Sequence, residues 1–152
     1  MKYKKFGKLD FKKIHPSGSL GAQLKTVEDI MIKGNKIPFV KENVKMNIAI
    51  KILSEKKLGI LIVLNNKNKT VGIITDGQIR RFSEKIKDFG MIEVKDIMTK
   101  KPVFIDKNEL AAKALSVMNN KKITSLIVNK KAQPQKTIGV VHIHTILQSN
   151  IS

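Results

Sequence analysis

The chain has 152 residues, enough for one ordinary domain or for two small modules that share an interface. It contains no cysteine, which excludes a disulfide framework, a thiolate nucleophile and a cysteine-ligated metal site. Apolar runs such as 60–64 are far too short to span a bilayer, and no charged-then-apolar signal sequence opens the chain. These features favour a folded cytoplasmic protein without a membrane partner.

The chain is strongly basic. Thirty Lys and Arg against twelve Asp and Glu give a net charge of +18, typical of proteins that bind nucleic acid or an anionic surface. All the basic residues except Arg80 and Arg81 are lysine, and lysine, isoleucine and asparagine share AT-rich codons. Aromatic residues, which would stack on bases, make up 5%. Codon bias therefore explains the charge better than a specific nucleic-acid partner, and a basic adaptor or polyanion-binding protein is the alternative function.

The first half of the chain recurs in the second half. The sequence VEDIM at 27–31 returns as VKDIM at 94–98, and VGII at 71–74 returns as IGVV at 138–141, both shifted by 67 positions. Between them a Lys-Lys-apolar run returns with a shift of 65. Shifts this similar indicate an internal duplication.

The first copy has the pattern of a β-α-β-β-α unit, because short apolar runs surround one segment with helical spacing. Asn43 precedes that segment and is predicted to cap the helix by accepting from an early backbone N–H. The elements in chain order are a strand at 37–40, a helix with Met46, Ala49, Ile50 and Leu53 on one face, a strand at 60–64, a polar turn at 65–69, a strand at 70–75 and a closing helix from about Asp76.

The second copy repeats this order, with Asn108 as the predicted cap. One copy of about 60 residues makes a marginal core, so the two copies are expected to pack against each other around a pseudo-twofold axis, leaving clefts at their interface. Its elements are a strand at 103–105, a helix with Ala111, Ala114, Leu115 and Met118 on one face, a strand at 126–128, a turn at 129–136, a strand at 137–142 and a closing helix from about Ile143.

These features resemble a CBS domain pair, also called a Bateman module. The resemblance rests on the DIM opening of each copy, the small alanine within each helix and the Gly-apolar-apolar-Thr run at 72–75. It implies an α/β fold, a tandem CBS domain pair of two β-α-β-β-α repeats related by a pseudo-twofold axis. It also implies a small nucleotide-type ligand and a homodimer formed through the CBS pairs. The expected boundaries are 25–88 for the first repeat and 89–152 for the second.

A narrower resemblance lies on both sides of the first DIM. The sequences HPSGSLG at 15–21, TDGQIRR at 75–81 and VHIH at 141–144 are similar to arabinose-5-phosphate isomerases of the SIS–CBS sugar isomerase family. In that family a sugar-isomerase (SIS) domain precedes the pair, and the enzyme interconverts ribulose 5-phosphate and arabinose 5-phosphate for Kdo and lipopolysaccharide biosynthesis. The resemblance implies that residues 1–24 are a remnant of the SIS-domain C-terminus and linker, in a cloned fragment or a truncated gene.

The resemblance implies a regulatory module that has no catalysis of its own. A SIS site needs a Ser/Thr- and Gly-rich loop for the sugar phosphate and carboxylates for proton transfer, and the residues before His15 contain no such loop. His15 matches an active-site histidine of the family, where imidazole suits a proton shuttle near neutral pH. Without a positioned substrate, we expect no catalytic role for it here. No cofactor is required.

The family's ligand site uses a Thr or Ser at the end of the last strand and an Asp three residues later. The Asp position falls on Gln78 and, in the second copy, on Thr145, and neither is an anionic acceptor for a ribose diol. This pattern disfavours AMP and ATP, and CMP-Kdo or another nucleotide is the expected regulatory ligand. The predicted ligand contacts are Thr75, Arg80, Arg81, Thr124, Ser125, His142 and His144.

Two neighbouring groups have simpler interpretations. Asp76 is expected to begin the closing helix near its positive end, where Arg80 could pair with it one turn later. His142 and His144 lie two apart at a strand end, but the sequence offers no obvious third metal ligand. No metal site is therefore predicted.

Overall fold

The computed structural model describes residues 24–149, and within them two sheets are flanked by helices. The predicted α/β order is confirmed in both copies. The first half contains α1 (Val27–Ile30), a 3-10 turn (Gly34–Lys36), β1 (Phe39–Lys41), α2 (Met46–Lys56), β2 (Ile60–Leu64), β3 (Thr70–Thr75) and α3 (Asp76–Lys85). The second contains 3-10 turns (Phe89–Met91 and Val94–Asp96), β4 (Thr99–Lys100), β5 (Phe104–Asp106), α4 (Ala111–Lys121), β6 (Ser125–Asn129), β7 (Gly139–His142) and α5 (Ile143–Gln148).

The two sheets have the same core topology. In each, an edge strand runs parallel to the buried strand, which pairs antiparallel with the last strand, giving β1-β2-β3 and β5-β6-β7. The parallel step is made by α2 in the first half and α4 in the second, as parallel pairing requires. The registers place Ile60 opposite Thr75 and Ser125 opposite His142. The end of each last strand therefore lies beside the start of the buried strand.

The predicted asparagine caps are wrong. The N-cap residues of α2 and α4 are Lys45 and Leu110, two positions after Asn43 and Asn108. Neither Lys45 nor Leu110 makes a side-chain hydrogen bond to its helix. The first backbone N–H of each helix instead donates to a carbonyl just ahead of the other copy's DIM. These bonds join Met46 to Ile92 at 2.8 Å and Ala111 to Lys25 at 2.9 Å.

The opening segments of the two copies are exchanged. Val27 and Ile30 are buried in the core formed by α4, β6, β7 and α5, which belongs to the second copy. Val94 and Ile97 are buried in the core of the first copy, and β4 extends the first sheet by pairing with β3. Each half is therefore completed by a segment of the other, which links the two small cores into one cooperative unit.

The exchange explains why a glycine stands in each last strand. A side chain at Gly72 would place its Cβ 2.8 Å from Met98 Sδ, the methionine of the second DIM. At Gly139 the Cβ would collide with Met31, the methionine of the first DIM. The methionine of each DIM therefore packs against the glycine of the other copy's last strand.

The pseudo-twofold axis passes between Thr70 and Thr137. These two positions are 67 residues apart, the repeat shift itself, and their Oγ atoms lie 2.5 Å apart. Equivalent residues can touch only near the axis that relates them. Beside this pair, the inner faces of the two sheets meet in a shared cluster of Ile37, Ile62, Ile127 and Val140.

Candidate ligand-binding cleft

A cleft of about 540 Å³ lies between the two halves, at the end where the last strands finish. This volume is within the range of small-molecule sites. Its walls consist of the ends of β3 and β7, the turns that follow α2 and α4, and the connector at 99–103, so neither copy forms it alone. The apolar part of the lining consists of Leu58, Ile60, Ile73, Pro102, Val103, Ile123 and Ile127.

Four of the seven predicted ligand contacts line this cleft: Thr75, Thr124, Ser125 and His142. The register of each sheet explains the grouping, because it places the end of the last strand beside the start of the buried strand. Thr75 also caps α3, and its hydroxyl oxygen accepts from the backbone N–H of Gln78 at 3.4 Å.

The other three predicted contacts lie outside the lining. Arg80 and Arg81 are exposed on α3, and the Arg81 guanidinium folds back over Gly77 at the rim of the cleft. His144 is exposed and stacks on His142, with 4.8 Å between the ring centroids. The family's catalytic histidine, His15, falls outside the described residues.

Gln78 is buried beneath the cleft wall and does not face the cleft. Its Oε1 accepts from the Thr75 backbone N–H at 3.0 Å, and its Nε2 donates to Thr99 Oγ1 at 2.7 Å and to the Ile97 carbonyl at 3.3 Å. The amide therefore joins the start of α3 to the connector of the second copy. The Thr-x-x-Gln spacing is that of a capping box, a signal present in the sequence.

Sequence reasoning missed three charged residues of the lining: Asp76, Lys101 and Lys122. Asp76 begins α3, as predicted, but it also faces the cleft. Within residues 24–149 it forms no ion pair with Arg80. Lys101 and Lys122 both have a left-handed backbone conformation, with φ of 57°. This conformation is uncommon for lysine, and the spacing of apolar residues in the sequence does not predict it. The two lysines add positive charge to the lining.

His142 is held as a neutral imidazole. Its Nδ1 accepts from the His144 backbone N–H at 3.1 Å, which caps α5 and requires that this nitrogen carry no proton. Burial lowers the pKa of His142 below its ordinary value of 6.5, and the neighbouring His144 lowers the pKa further. With Nδ1 engaged in the cap, the neutral ring carries its proton on Nε2, which is the nitrogen left to donate to a ligand.

We expect stability to decrease as the pH falls below about 6.5 because of His142. The folded pKa lies below the unfolded value of 6.5, so the unfolded chain takes up a proton first on acidification. The loss begins near the unfolded pKa and stops below the folded pKa, where both states are protonated. Urea unfolding at about pH 7.5 and about pH 5 measures it.

The matched variant for this measurement is His142→Asn, which retains a side-chain acceptor at the cap but does not titrate. It should show a smaller difference in stability between the two pH values than the unchanged chain. An equal difference in both proteins would assign the pH dependence to other groups.

Within residues 24–149, no three His, Asp or Glu side chains stand close enough together to hold a metal ion. None of the helices in that part of the chain is both long and apolar enough to cross a membrane.

The sequence matches a known protein family. The family model described as CBS domain matches residues 27–85 and 94–151. The chain belongs to the CBS domain family. The two matched segments fall on the two copies of the duplication, so the CBS pair implied by the DIM and Gly-apolar-apolar-Thr motifs is confirmed.

The chain is similar to bacterial isomerases over nearly its whole length. It is 38% identical over 149 residues to arabinose 5-phosphate isomerase KdsD of Francisella tularensis, and 32% identical over 152 residues to KdsD of Escherichia coli K12. These alignments cover 97% and 99% of this chain and 45% of each relative. An uncharacterized protein of Rickettsia prowazekii is 36% identical over 148 residues, or 44% of its length. The chain spans less than half the length of these relatives.

Solved structures share the fold. The protein CBSX2 in complex with AMP superposes with a TM-score of 0.72 at 23% identity, covering 83% of this chain and 96% of that one. The CBS domain of a bacterial CNNM/CorC family Mg²⁺ transporter in complex with ATP gives 0.71 at 17% identity, covering 86% and 89%. An uncharacterized protein from Pyrococcus horikoshii gives 0.73 at 22% identity, covering 84% and 93%. The tandem CBS architecture is thereby confirmed.

Proposed function

We propose that this chain is the ligand-sensing CBS pair of an arabinose 5-phosphate isomerase that serves Kdo and lipopolysaccharide biosynthesis. The observation that carries the proposal is the cleft that both CBS repeats build together. A ligand held by Thr75 on one side and by Thr124 and Ser125 on the other contacts both repeats at once. Its binding therefore favours one relative arrangement of the repeats, which is the physical basis for regulating an attached domain.

The ligand is proposed to be a nucleotide, with CMP-Kdo as the first candidate. The cleft offers an apolar wall for a base, and Lys101, Lys122 and the Nε2 of His142 for phosphate or carboxylate groups. CBS domains of similar fold have been solved with AMP and with ATP. At the position where an adenosine site has its ribose carboxylate, this chain has Gln78, whose polar atoms are engaged beneath the wall.

The expected result is that CMP-Kdo raises the melting temperature more than AMP or ATP at equal concentration. Gln78 costs an adenine nucleotide bound in the family's usual manner its charged partner for the ribose diol, about 1–3 kcal/mol or about one to two decades of affinity, whereas CMP-Kdo adds a carboxylate for Lys101 or Lys122. A ligand at 100 times its dissociation constant stabilises the native state by about 2.7 kcal/mol, which a melting curve detects. The measurement is a thermal melt with CMP-Kdo, CMP, AMP and ATP at matched ionic strength.

Two adjacent lysines provide the matched control. Lys122 lines the cleft, whereas Lys121 is exposed outside it, and replacing either with glutamine changes the net charge equally. Lys122→Gln should reduce the ligand-induced shift, and Lys121→Gln should leave it unchanged. Equal reduction in both variants would favour the alternative function, a basic polyanion-binding protein acting through its total charge. A larger shift with AMP or ATP would overturn the assignment of the ligand.

The remaining parts of the proposal concern the whole protein. The CBS pair alone is proposed to have no isomerase activity, to require no cofactor and to act in the cytoplasm attached to a SIS domain. It is proposed to form a homodimer through helices of the CBS pairs, without a specific nucleic-acid or membrane partner. Turnover of ribulose 5-phosphate by the purified chain, or light scattering that shows a monomer at high micromolar concentration, would contradict the corresponding part.

A further inference from the structure

We infer that Asp76 is the residue that accepts hydrogen bonds from the ligand's hydroxyl groups, and that the cleft takes a phosphorylated polyol in one fixed orientation. The inference rests on the proposed function, because it names the chemistry of the same cleft. It assigns a role to a side chain that lies one residue after Thr75, where the family's spacing does not place a ligand contact.

The position three residues after Thr75 is closed to a ligand. Gln78 is 8% exposed, does not line the cleft, and uses both ends of its amide on Thr75, Ile97 and Thr99. The equivalent position in the second repeat, Thr145, is also outside the lining. Neither repeat can therefore supply a diol acceptor from the family's usual place.

Asp76 supplies the missing carboxylate. It lines the cleft, and within residues 24–149 its side chain forms no hydrogen bond or ion pair that would occupy its acceptor oxygens. Its Oδ2 stands 3.2 Å from the place a Cβ would take at Gly59, and its other neighbour in the lining is Gly77. The absence of a side chain at Gly59 therefore leaves room for the carboxylate, and Asp76 is exposed, so its oxygens are open to hydrogen-bond donors of a ligand.

The charged residues of the lining are divided between the two repeats, and we infer that this division sets the direction of the ligand. Asp76 belongs to the first repeat, whereas Lys122 and His142 belong to the second and Lys101 to the connector. A carboxylate repels a phosphate and accepts hydrogen bonds from hydroxyls, whereas the lysine ammonium groups attract a phosphate and donate hydrogen bonds to it. A molecule with a diol at one end and a phosphate at the other satisfies both walls in a single orientation.

The test asks whether removing the Asp76 charge weakens or strengthens the binding of CMP. Removing a negative charge strengthens any interaction that is merely attraction between a cationic protein and an anion. If Asp76 accepts from hydroxyls, however, Asp76→Asn should weaken CMP binding by about tenfold while leaving inorganic phosphate unchanged or tighter. Asp88→Asn is the matched control, because Asp88 is exposed outside the cleft with a left-handed backbone, φ 56°, that asparagine tolerates.

Calorimetric titration of the full chain with CMP, 2′,3′-dideoxy-CMP and inorganic phosphate, at one ionic strength, separates the outcomes. The loss from Asp76→Asn and the loss from removing the two hydroxyls should not add, since both delete one interaction. Equal or tighter binding of CMP to Asp76→Asn, or additive losses, would overturn the role of Asp76 alone. Absence of saturable CMP binding to the unchanged chain would overturn both this role and the proposed cytidine-nucleotide function.

Discussion

Replacing Gly72 with alanine should destabilise the fold by about 1–3 kcal/mol, the range for an added methyl group in a closely packed site. The new Cβ would lie 2.8 Å from Met98 Sδ and 2.8 Å from the Thr99 carbonyl oxygen. The methionine could rotate away, but the carbonyl is fixed because Thr99 pairs with Ile73 in the sheet. The strain must then separate β4 from β3, which loosens the exchanged segment of the second repeat.

Urea and thermal unfolding measure this change, and 1 kcal/mol corresponds to about 2–4 °C for a chain of this size. Gly139→Ala should behave similarly, since its Cβ would meet Met31 and the Ile32 carbonyl. Gly77→Ala is the control: its Cβ would approach the movable Arg81 guanidinium at 3.3 Å, in a helix that alanine favours. Equal stability of Gly72→Ala and Gly77→Ala would show that the DIM–glycine contact carries no packing constraint.

The elements of this fold could be predicted because their signals are local. Apolar spacing gave the helix faces, on which Met46, Ala49 and Leu53 are buried as predicted, and the apolar run at 60–64 corresponds to β2. The asparagine caps failed for a physical reason. The first helical N–H groups are satisfied by carbonyls about 46 and about 86 positions away, at Ile92 and Lys25, so no local acceptor was needed.

The exchange of opening segments could not be predicted from one sequence. Val27 and Val94 stand in similar motifs, VEDIM and VKDIM, and each would fit either apolar core. Which core each enters depends on the paths of the connectors and on the DIM–glycine contacts, which are properties of the assembled pair. The duplication itself, by contrast, was recognisable from the constant shift alone.

The candidate cleft was predicted in part. Its strand-end residues followed from motif spacing, and the structure brings Thr75 and His142 into one lining. The prediction that Arg80 and Arg81 line the cleft was not met. A side chain that closely follows a strand end in sequence can still lie on the outer face of the next helix. Asp76 was assigned to helix initiation alone, although a first-turn carboxylate can serve a helix and a ligand together.

Removing one hydroxyl of the Thr70–Thr137 pair should lower the free energy of unfolding by more than half of the loss caused by removing both hydroxyls. The two side chains are 6% and 7% exposed, and their Oγ atoms lie 2.5 Å apart on the pseudo-twofold axis. A single Thr70→Ala leaves the Thr137 hydroxyl buried without this partner, at about 1–3 kcal/mol. The double alanine variant removes the second hydroxyl with little further loss, so the two single effects should exceed the double effect by about 1 kcal/mol or more.

Alanine suits this cycle better than valine, because two methyl groups need about 4 Å and could not replace oxygens at 2.5 Å without overpacking. Thr70→Ser retains the hydroxyl and controls for loss of the methyl group. Denaturant unfolding of the four proteins gives the coupling energy. Additive effects would mean that the bond contributes no net stability. The repeats would then be held together by the exchanged segments and the shared apolar cluster, with the hydroxyl pair marking the axis without strengthening it.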